Sequence, residues 1–200
     1  MHPAADAYAQ RAVEYADRLG TMDSVHPVDR VLVDTWAARA PGPVLDAGSG
    51  PGHWTNHLVR SGLDARGIDI TPPFVDHARA RYPHVRFDVA DIDDTPYPAR
   101  SFGTILSWYS TIHHDPEQIQ RPLSEFARIL RPGGLLVLGY SDGPSIGVFD
   151  HAVTPAYRWP TTALGALIDR AGLEVVEAHT RTGAGHRPHG AIVARLPADR

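Results

Sequence analysis

The residues of this chain that could do chemistry stand at the ends of short apolar runs. Val44-Leu45 ends on Asp46, and Gly48, Gly50 and Gly52 follow at alternate positions around Ser49 and Pro51, before His53-Trp54. Ile68 leads to Asp69-Ile70, Phe87 to Ala90 leads to Asp91-Ile92, and a fourth run closes on Ser107-Trp108-Tyr109 with His113-His114-Asp115 just beyond. Glycines after a strand permit positive φ and leave bare backbone against which a ligand can lie. The N–H groups opening the next helix are then expected to point at that ligand. Asp69 stands about 20 residues past the turn, where an acidic side chain takes the hydroxyls of a ribose. One such aspartate is a loop or cap residue by default, but three at successive strand ends after a glycine turn point to a nucleoside.

The elements that must position these groups alternate. Helical patterns over 53–60, 72–81, 116–130 and 161–171 separate strand patterns at 44–46, 65–70, 85–89, 101–109 and 135–138. Such alternation predicts an α/β fold: a mostly parallel sheet with helices on both faces. Leu135-Leu136-Val137-Leu138 is apolar throughout, as strands covered on both sides are. The end of the chain differs. Strand patterns around 173–178 and 190–196, joined through Thr182-Gly183-Ala184-Gly185, read as an antiparallel hairpin. Two helices precede the glycine turn. The first spans 4–19 with Tyr8, Ala12, Tyr15 and Leu19 on one stripe; the second starts at His26-Pro27 with Val28, Val31, Leu32 and Trp36 on another. Residues 141–160 read as a loop. The expectation is a single domain over 1–200, with an N-terminal helical lid (1–41), a cofactor-binding core (42–140) and a substrate loop, helix and closing strands (141–200).

Composition bounds the function. The 200 residues carry a net charge of −4, and all 19 basic residues are arginines. A protein that neutralises many phosphates is normally basic, so nucleic acid is a poor partner. There are no cysteines, which removes disulfides, thiolate metal sites and a cysteine nucleophile. No apolar run approaches the roughly 20 residues of a membrane span, and the N-terminal stretch carries Asp6 and Glu14, unlike a signal peptide. A cytoplasmic location is the expectation.

The glycine spacing separates two kinds of nucleoside. A dinucleotide turn is G-x-G-x-x-G, the third glycine letting helix pack on strand. Here His53 occupies that third position. Asp46, just before the turn, would repel a pyrophosphate and suits a cationic amino-acid group instead. A NAD-dependent oxidoreductase is therefore disfavoured.

At four places, in order, the chain resembles the class I S-adenosylmethionine-dependent methyltransferases. Val44 to Gly52 looks like their first motif, Gly67-Ile68-Asp69-Ile70 like their second-strand motif, and Phe87 to Ile92 like the segment that reads adenine. Leu123 to Leu138, through Leu130-Arg131-Pro132-Gly133-Gly134, resembles their helix and turn before the fifth strand. The resemblance implies a Rossmann-like, doubly wound, seven-stranded sheet with an antiparallel C-terminal hairpin strand. It also implies S-adenosyl-L-methionine as cofactor, leaving S-adenosyl-L-homocysteine as product. By position, Gly48, Ser49 and Gly50 would lie under the methionine and ribose. Asp69 would take the ribose hydroxyls and Ile70 the adenine, with Asp91 and Ile92 holding the adenine edge and face. Ser107 and Trp108 would meet the methionine end, and Asp46 its amino group.

Methyl transfer from a sulfonium is an in-line displacement, for which the protein aligns acceptor and methyl and excludes water. A base is needed only where the nucleophile must lose a proton. His113, with Tyr109 near it in sequence, is the candidate; a residue that lines the site or caps a helix is the plain alternative. A metal on His113-His114-Asp115 lacks a second ligand cluster. Tyr8, Tyr15, His114, His151, Tyr157 and Trp159 are the candidate acceptor-pocket residues, although the aromatics of 141–160 are equally explained as packing. Arg158 or Arg187 would suit a substrate carboxylate. The expected acceptor is a small molecule. A fold that binds the cofactor without transferring methyl, as a partner subunit or rearrangement catalyst, is the other reading, since cofactor motifs are silent on the acceptor.

Overall fold

The computed structural model describes residues 6–9, 11, 14, 16, 20–39, 41–183 and 186–198. Described residues between 6 and 16 are helical, whereas Ala12, Tyr15 and Leu19 of the expected first stripe lie outside the described residues. A short 3-10 turn, Met22–Ser24, precedes α1 (Pro27–Ala37). The chain continues through β1 (Val44–Ala47), α2 (His53–Arg60), β2 (Ala65–Asp69), α3 (Pro72–Arg81), β3 (Arg86–Val89) and β4 (Phe102–Trp108). It then runs through α4 (Gln120–Ile129), β5 (Leu130–Asp142), β6 (Gly147–Phe149), β7 (Ala156–Trp159), α5 (Thr161–Arg170), β8 (Glu174–Gly183) and β9 (His186–Arg195).

Seven strands make the main run, in the order β3-β2-β1-β4-β5-β9-β8. Neighbours from β3 to β5 are parallel, and β9 is antiparallel to both β5 and β8. The chain builds outward from β1 to β3 and then restarts at β4 on the other side of β1. The carboxyl ends of β1 and β4 therefore diverge, leaving a crevice where open α/β sheets bind ligands.

Alternate residues of β5 face opposite layers. Leu136 and Leu138 join a cluster with Ile119, Leu123 and Phe126 on the α4 side. Leu135 and Val137 join Val33, Trp36, Trp54 and Leu58 from α1 and α2. A strand covered on both faces needs this continuous apolar run.

Three expectations change. Strand β5 starts at Leu130 because Leu130 pairs with Phe102 before the chain bulges through Pro132-Gly133-Gly134 and resumes at Leu135, opposite Thr104. Segment 141–160 is not all loop. Strand β5 runs past its last partner in β4, and β7 fills that edge by pairing with Ser141 and Asp142, with β6 antiparallel to it. Helix α1 is rotated from the expected stripe: Val28 and Val31 are exposed at 60% and 64%, while Asp29, Val33, Trp36 and Ala37 are buried. An aspartate takes the apolar face there because Arg181 reaches it, as described below.

Candidate functional site

A cleft of about 830 Å³ opens at the carboxyl ends of β1, β2, β3 and β4. Of the residues expected to contact cofactor, it is lined by Asp46, Gly48, Ser49, Gly50, Asp69, Ile70, Asp91, Ile92 and Trp108. Of the catalytic and acceptor candidates it brings in Tyr8, Tyr109, His113, His114 and His151, with Arg187.

The glycine turn is built for close approach. Gly48 has φ 80°, and a Cβ there would stand 2.2 Å from the Ser110 Cβ, so the turns after β1 and β4 pack directly together. Gly50 has φ 51°, and a Cβ on it would meet no atom within 4 Å, leaving backbone bare beside the cleft.

The N–H groups of this turn, however, do not point at a ligand. Gly48 and Ser49 donate to the Ile68 carbonyl at 2.8 Å, and Gly50 donates to Asp69 Oδ2 at 2.8 Å. The Thr55 backbone and hydroxyl both donate to Asp46, the hydroxyl at 2.6 Å from Oδ2. These are the donors a pyrophosphate would use, and the protein's own acceptors have taken them. Burial lifts the Asp46 carboxyl from its ordinary 3.8 to about 7 against the pull of Thr55, and Asp69 adds to the rise. A buried carboxylate so poised is matched by a cation, not by a phosphate.

Asp69 is held at both oxygens, by the Gly50 N–H and, at Oδ1, by the Thr71 N–H at 2.8 Å. Burial pushes its pKa upward and those backbone bonds oppose the push. Each oxygen keeps a lone pair for a further donor. Asp91 accepts from the Asp93 N–H at 2.9 Å, which tightens the turn beside Ile92.

Ser49 Oγ, His53 Nδ1 and Trp54 Nε1 are among the buried polar atoms of cleft-lining residues that have no hydrogen-bond partner among the described residues. Burial holds the His53 imidazole at about 4, so it is neutral at pH 7. A ligand with its own amine and carboxylate fits such a wall.

Away from the strand ends, residues distant in sequence meet. His113 Nδ1 donates to the Pro155 carbonyl at 2.9 Å, which leaves Nε2 to accept from the Tyr8 hydroxyl at 2.9 Å. Tyr109, a non-glycine at φ 61°, turns the chain sharply after β4 and bonds its hydroxyl to His189 Nδ1. Burial raises the Tyr109 pKa, and the Asp29 charge adds to it, so the phenol stays protonated and is the donor. His189 Nε2 lies 3.4 Å from Asp29 Oδ1, long for a hydrogen bond. Arg181 grips Asp29 with both terminal nitrogens, at 2.5 and 2.9 Å. Asp29 and His189 were not among the expected site residues. Asp29 sits within a helical pattern and His189 in an unremarkable hairpin, so only contacts across the fold reveal them.

Several expected residues stand elsewhere. Ser107 is fully buried and spends its hydroxyl on Ser110 Oγ at 2.7 Å, so it does not line the cleft. Trp159 is 3% exposed and belongs to the core cluster around Tyr140 and Leu164, with Tyr157 packed against it; neither lines the cleft. Strand β7 takes them inward, a pairing that a loop reading of 141–160 misses. Arg158, on that strand, packs against Gly143 and Gly147. His114 lines the cleft while bonded to Asp93 Oδ1 at 2.8 Å, tying the loop after β4 to that after β3. Tyr15 lies outside the described residues. No group of three or more potential metal ligands occurs among the described residues.

The fold defines a Rossmann-like α/β protein with a cleft at its switch point. Residues 44–134 match a methyltransferase domain. An uncharacterized methyltransferase of Synechocystis is 29% identical over 158 residues, 73% of this chain and 74% of that protein. Methyltransferase GfsG of Streptomyces halstedii is 34% identical over 174 residues, 78% of this chain and 60% of its own. Other curated relatives are matched over about half of their length. Among solved structures, the 1,6-didemethyltoxoflavin-N1-methyltransferase of Burkholderia thailandensis has the same fold, with a TM-score of 0.76 at 20% identity over 96% of this chain and 88% of that one. The match to a methyltransferase domain over residues 44–134 is thus carried on the fold of the class I S-adenosylmethionine-dependent methyltransferases, whose cofactor is S-adenosylmethionine.

Proposed function

We propose that this chain transfers the methyl group of S-adenosylmethionine to a small-molecule acceptor by in-line displacement. The observation that carries the reading is the turn after β1: its donors are spent on Ile68, Asp69 and Asp46, and a buried carboxyl poised near neutrality awaits a cation. When bound, S-adenosylmethionine supplies an electrophilic methyl group on a sulfonium. Gly48, Ser49 and Gly50 give the surface on which its methionine and ribose lie, and Asp46 pairs with its amino group. Asp69 accepts from the ribose hydroxyls, Asp91 from the adenine amino group, and Ile70, Ile92 and Trp108 supply apolar contact. His113 takes the acceptor's proton through Tyr8: its Nδ1–H is held by Pro155, and its Nε2 lone pair receives the Tyr8 hydroxyl proton as the Tyr8 oxygen receives the acceptor's. Tyr109 orients the acceptor: with its proton given to His189, its phenol oxygen is left to accept a hydrogen bond.

Calorimetry with S-adenosylhomocysteine and NAD tests the cofactor. The sulfur nucleoside is expected to bind and NAD to bind more weakly; the reverse order overturns the proposal. A screen of candidate acceptors with methyl-labelled cofactor then supplies a substrate. On it, His113→Ala is expected to lower turnover while leaving S-adenosylhomocysteine affinity in place, and unchanged turnover would reduce His113 to a wall of the pocket.

A further inference from the structure

Two groups of rings line the cleft beyond the strand ends. In one, His113 lies 5.5 Å from Tyr8 and 5.3 Å from His151, whose ring is 6.4 Å from Phe149 (centroid distances). In the other, Trp108, Tyr109 and His189 stand 5.4 to 6.2 Å apart. Rings presented to a cleft favour a flat guest, which they meet face-on or edge-on without distortion.

The charges at this end are unequal. Arg181 is committed to Asp29 through both terminal nitrogens, and Asp46, Asp69 and Asp91 belong to the strand ends. Arg187 makes no ion pair among the described residues. It lies 5.0 Å over the Phe149 ring and gives one N–H, at 3.0 Å, to the Asp150 main-chain carbonyl. His151 feels the excess. Burial first, then repulsion from His113 when that ring is protonated and from Arg187, hold its pKa at about 4. A guanidinium stacked on an aromatic face keeps its remaining in-plane N–H donors available to an oxyanion.

We propose that the acceptor half of the cleft takes a planar aromatic molecule bearing a carboxylate or comparable oxyanion, its ring against the aromatic walls and its charge on Arg187. This rests on the methyltransferase reading above and names the acceptor class for it. An aliphatic acid offers the charge without the flat face, and a neutral arene the face without the charge.

The test is calorimetry on the whole chain, first with S-adenosylhomocysteine and then, with and without that nucleoside, with three probes. They are 3-hydroxy-2-naphthoate, its amide and decahydronaphthalene-2-carboxylate. The naphthoate is expected to bind at least about tenfold more tightly than either control, as a charge-assisted pair added to ring stacking should allow. Arg187→Gln is expected to weaken the naphthoate about tenfold, to the level of its amide, leaving nucleoside affinity unchanged. Phe149→Leu should weaken naphthoate and amide but not the saturated acid. A saturated acid that binds as well as the naphthoate, or an Arg187→Gln protein that binds it undiminished, overturns the inference. Nucleoside binding with no naphthoate binding also overturns it and spares the parent reading. The expected probe pattern without nucleoside binding would do the reverse.

Discussion

The half of the cleft proposed for the nucleoside takes its polar groups from three consecutive strand ends, whereas the half proposed for the acceptor gathers Tyr8, Asp29, Tyr109, His113, Arg181 and His189 from separate parts of the chain. In the first, backbone does most of the positioning: Asp69 is fixed by the N–H groups of Gly50 and Thr71, and Asp46 by the N–H and the hydroxyl of Thr55. In the second, side chains position one another: Tyr8 with His113, Tyr109 with His189, Asp29 with Arg181. Strand ends are rigid because the sheet ladders behind them are, so their aspartates hold whatever happens at the rim. A side-chain network has no such backing. Its geometry is a property of several packed elements together.

The contrast can be broken or sharpened by substitution. The largest effect is expected at neither half. Trp159→Ala should cost about 3–5 kcal/mol of stability in urea unfolding, because it empties a core position, while S-adenosylhomocysteine affinity of the folded protein stays as it was. Full stability with a lost acceptor site would return Trp159 to the cleft. In the nucleoside half, Asp69→Ala should lower S-adenosylhomocysteine affinity by roughly 2–3 kcal/mol, since it strands the ribose hydroxyls and two backbone N–H groups. Affinity within about threefold of wild type, on calorimetry, would refute its proposed role.

In the acceptor half, Asp29→Ala leaves Arg181 and His189 without their carboxylate. A loss of about 2 kcal/mol in urea unfolding is expected, with nucleoside affinity nearly unchanged. Were nucleoside affinity to fall in step, the two halves would not be separable.

The smallest effect is a pH dependence. With Asp46 at about 7 in the free protein, binding a cation must first remove its proton below that pH. Affinity for S-adenosylhomocysteine should tighten about tenfold, or about 1.4 kcal/mol, between pH 6 and 8, and Asp46→Asn should flatten that rise. The stability of the ligand-free fold runs the other way. Because the folded pKa of Asp46 lies above its ordinary 3.8, the native state holds the extra proton between about pH 4 and 7. Wild-type stability should therefore fall relative to Asp46→Asn as pH rises through that window. The difference between the two proteins is the quantity to read, since His53 and His151, both held near 4, push the opposite way over part of it.

Local features carried the strand–helix order, the glycine turn and the aspartates that end β1, β2 and β3, because each depends on residues a few positions apart. Even so, the turn held a surprise. Its glycines and following helix suggested N–H groups facing a ligand, whereas those donors serve Ile68, Asp69 and Asp46. Which acceptor satisfies a donor is settled by the neighbouring strand, and β2 is remote in sequence.

The rest was hidden for the same reason. The apolar stripe expected on α1 included Val28 and Val31, yet Asp29 is buried in their place, a choice explained by Arg181 on β8. Trp159 and Tyr157 read as rim aromatics because nothing near them in sequence shows that β5 outruns β4 and offers β7 an edge.

The sequence by itself determined the α/β order, the strand-end aspartates, the cation-suited turn at Asp46 and the resemblance to methyltransferase motifs, since these reside in short spacings that backbone geometry enforces. The tertiary structure alone decided which side chains meet at the acceptor end. Those contacts join residues scattered along the chain, and their geometry follows from how sheet, helices and hairpin pack.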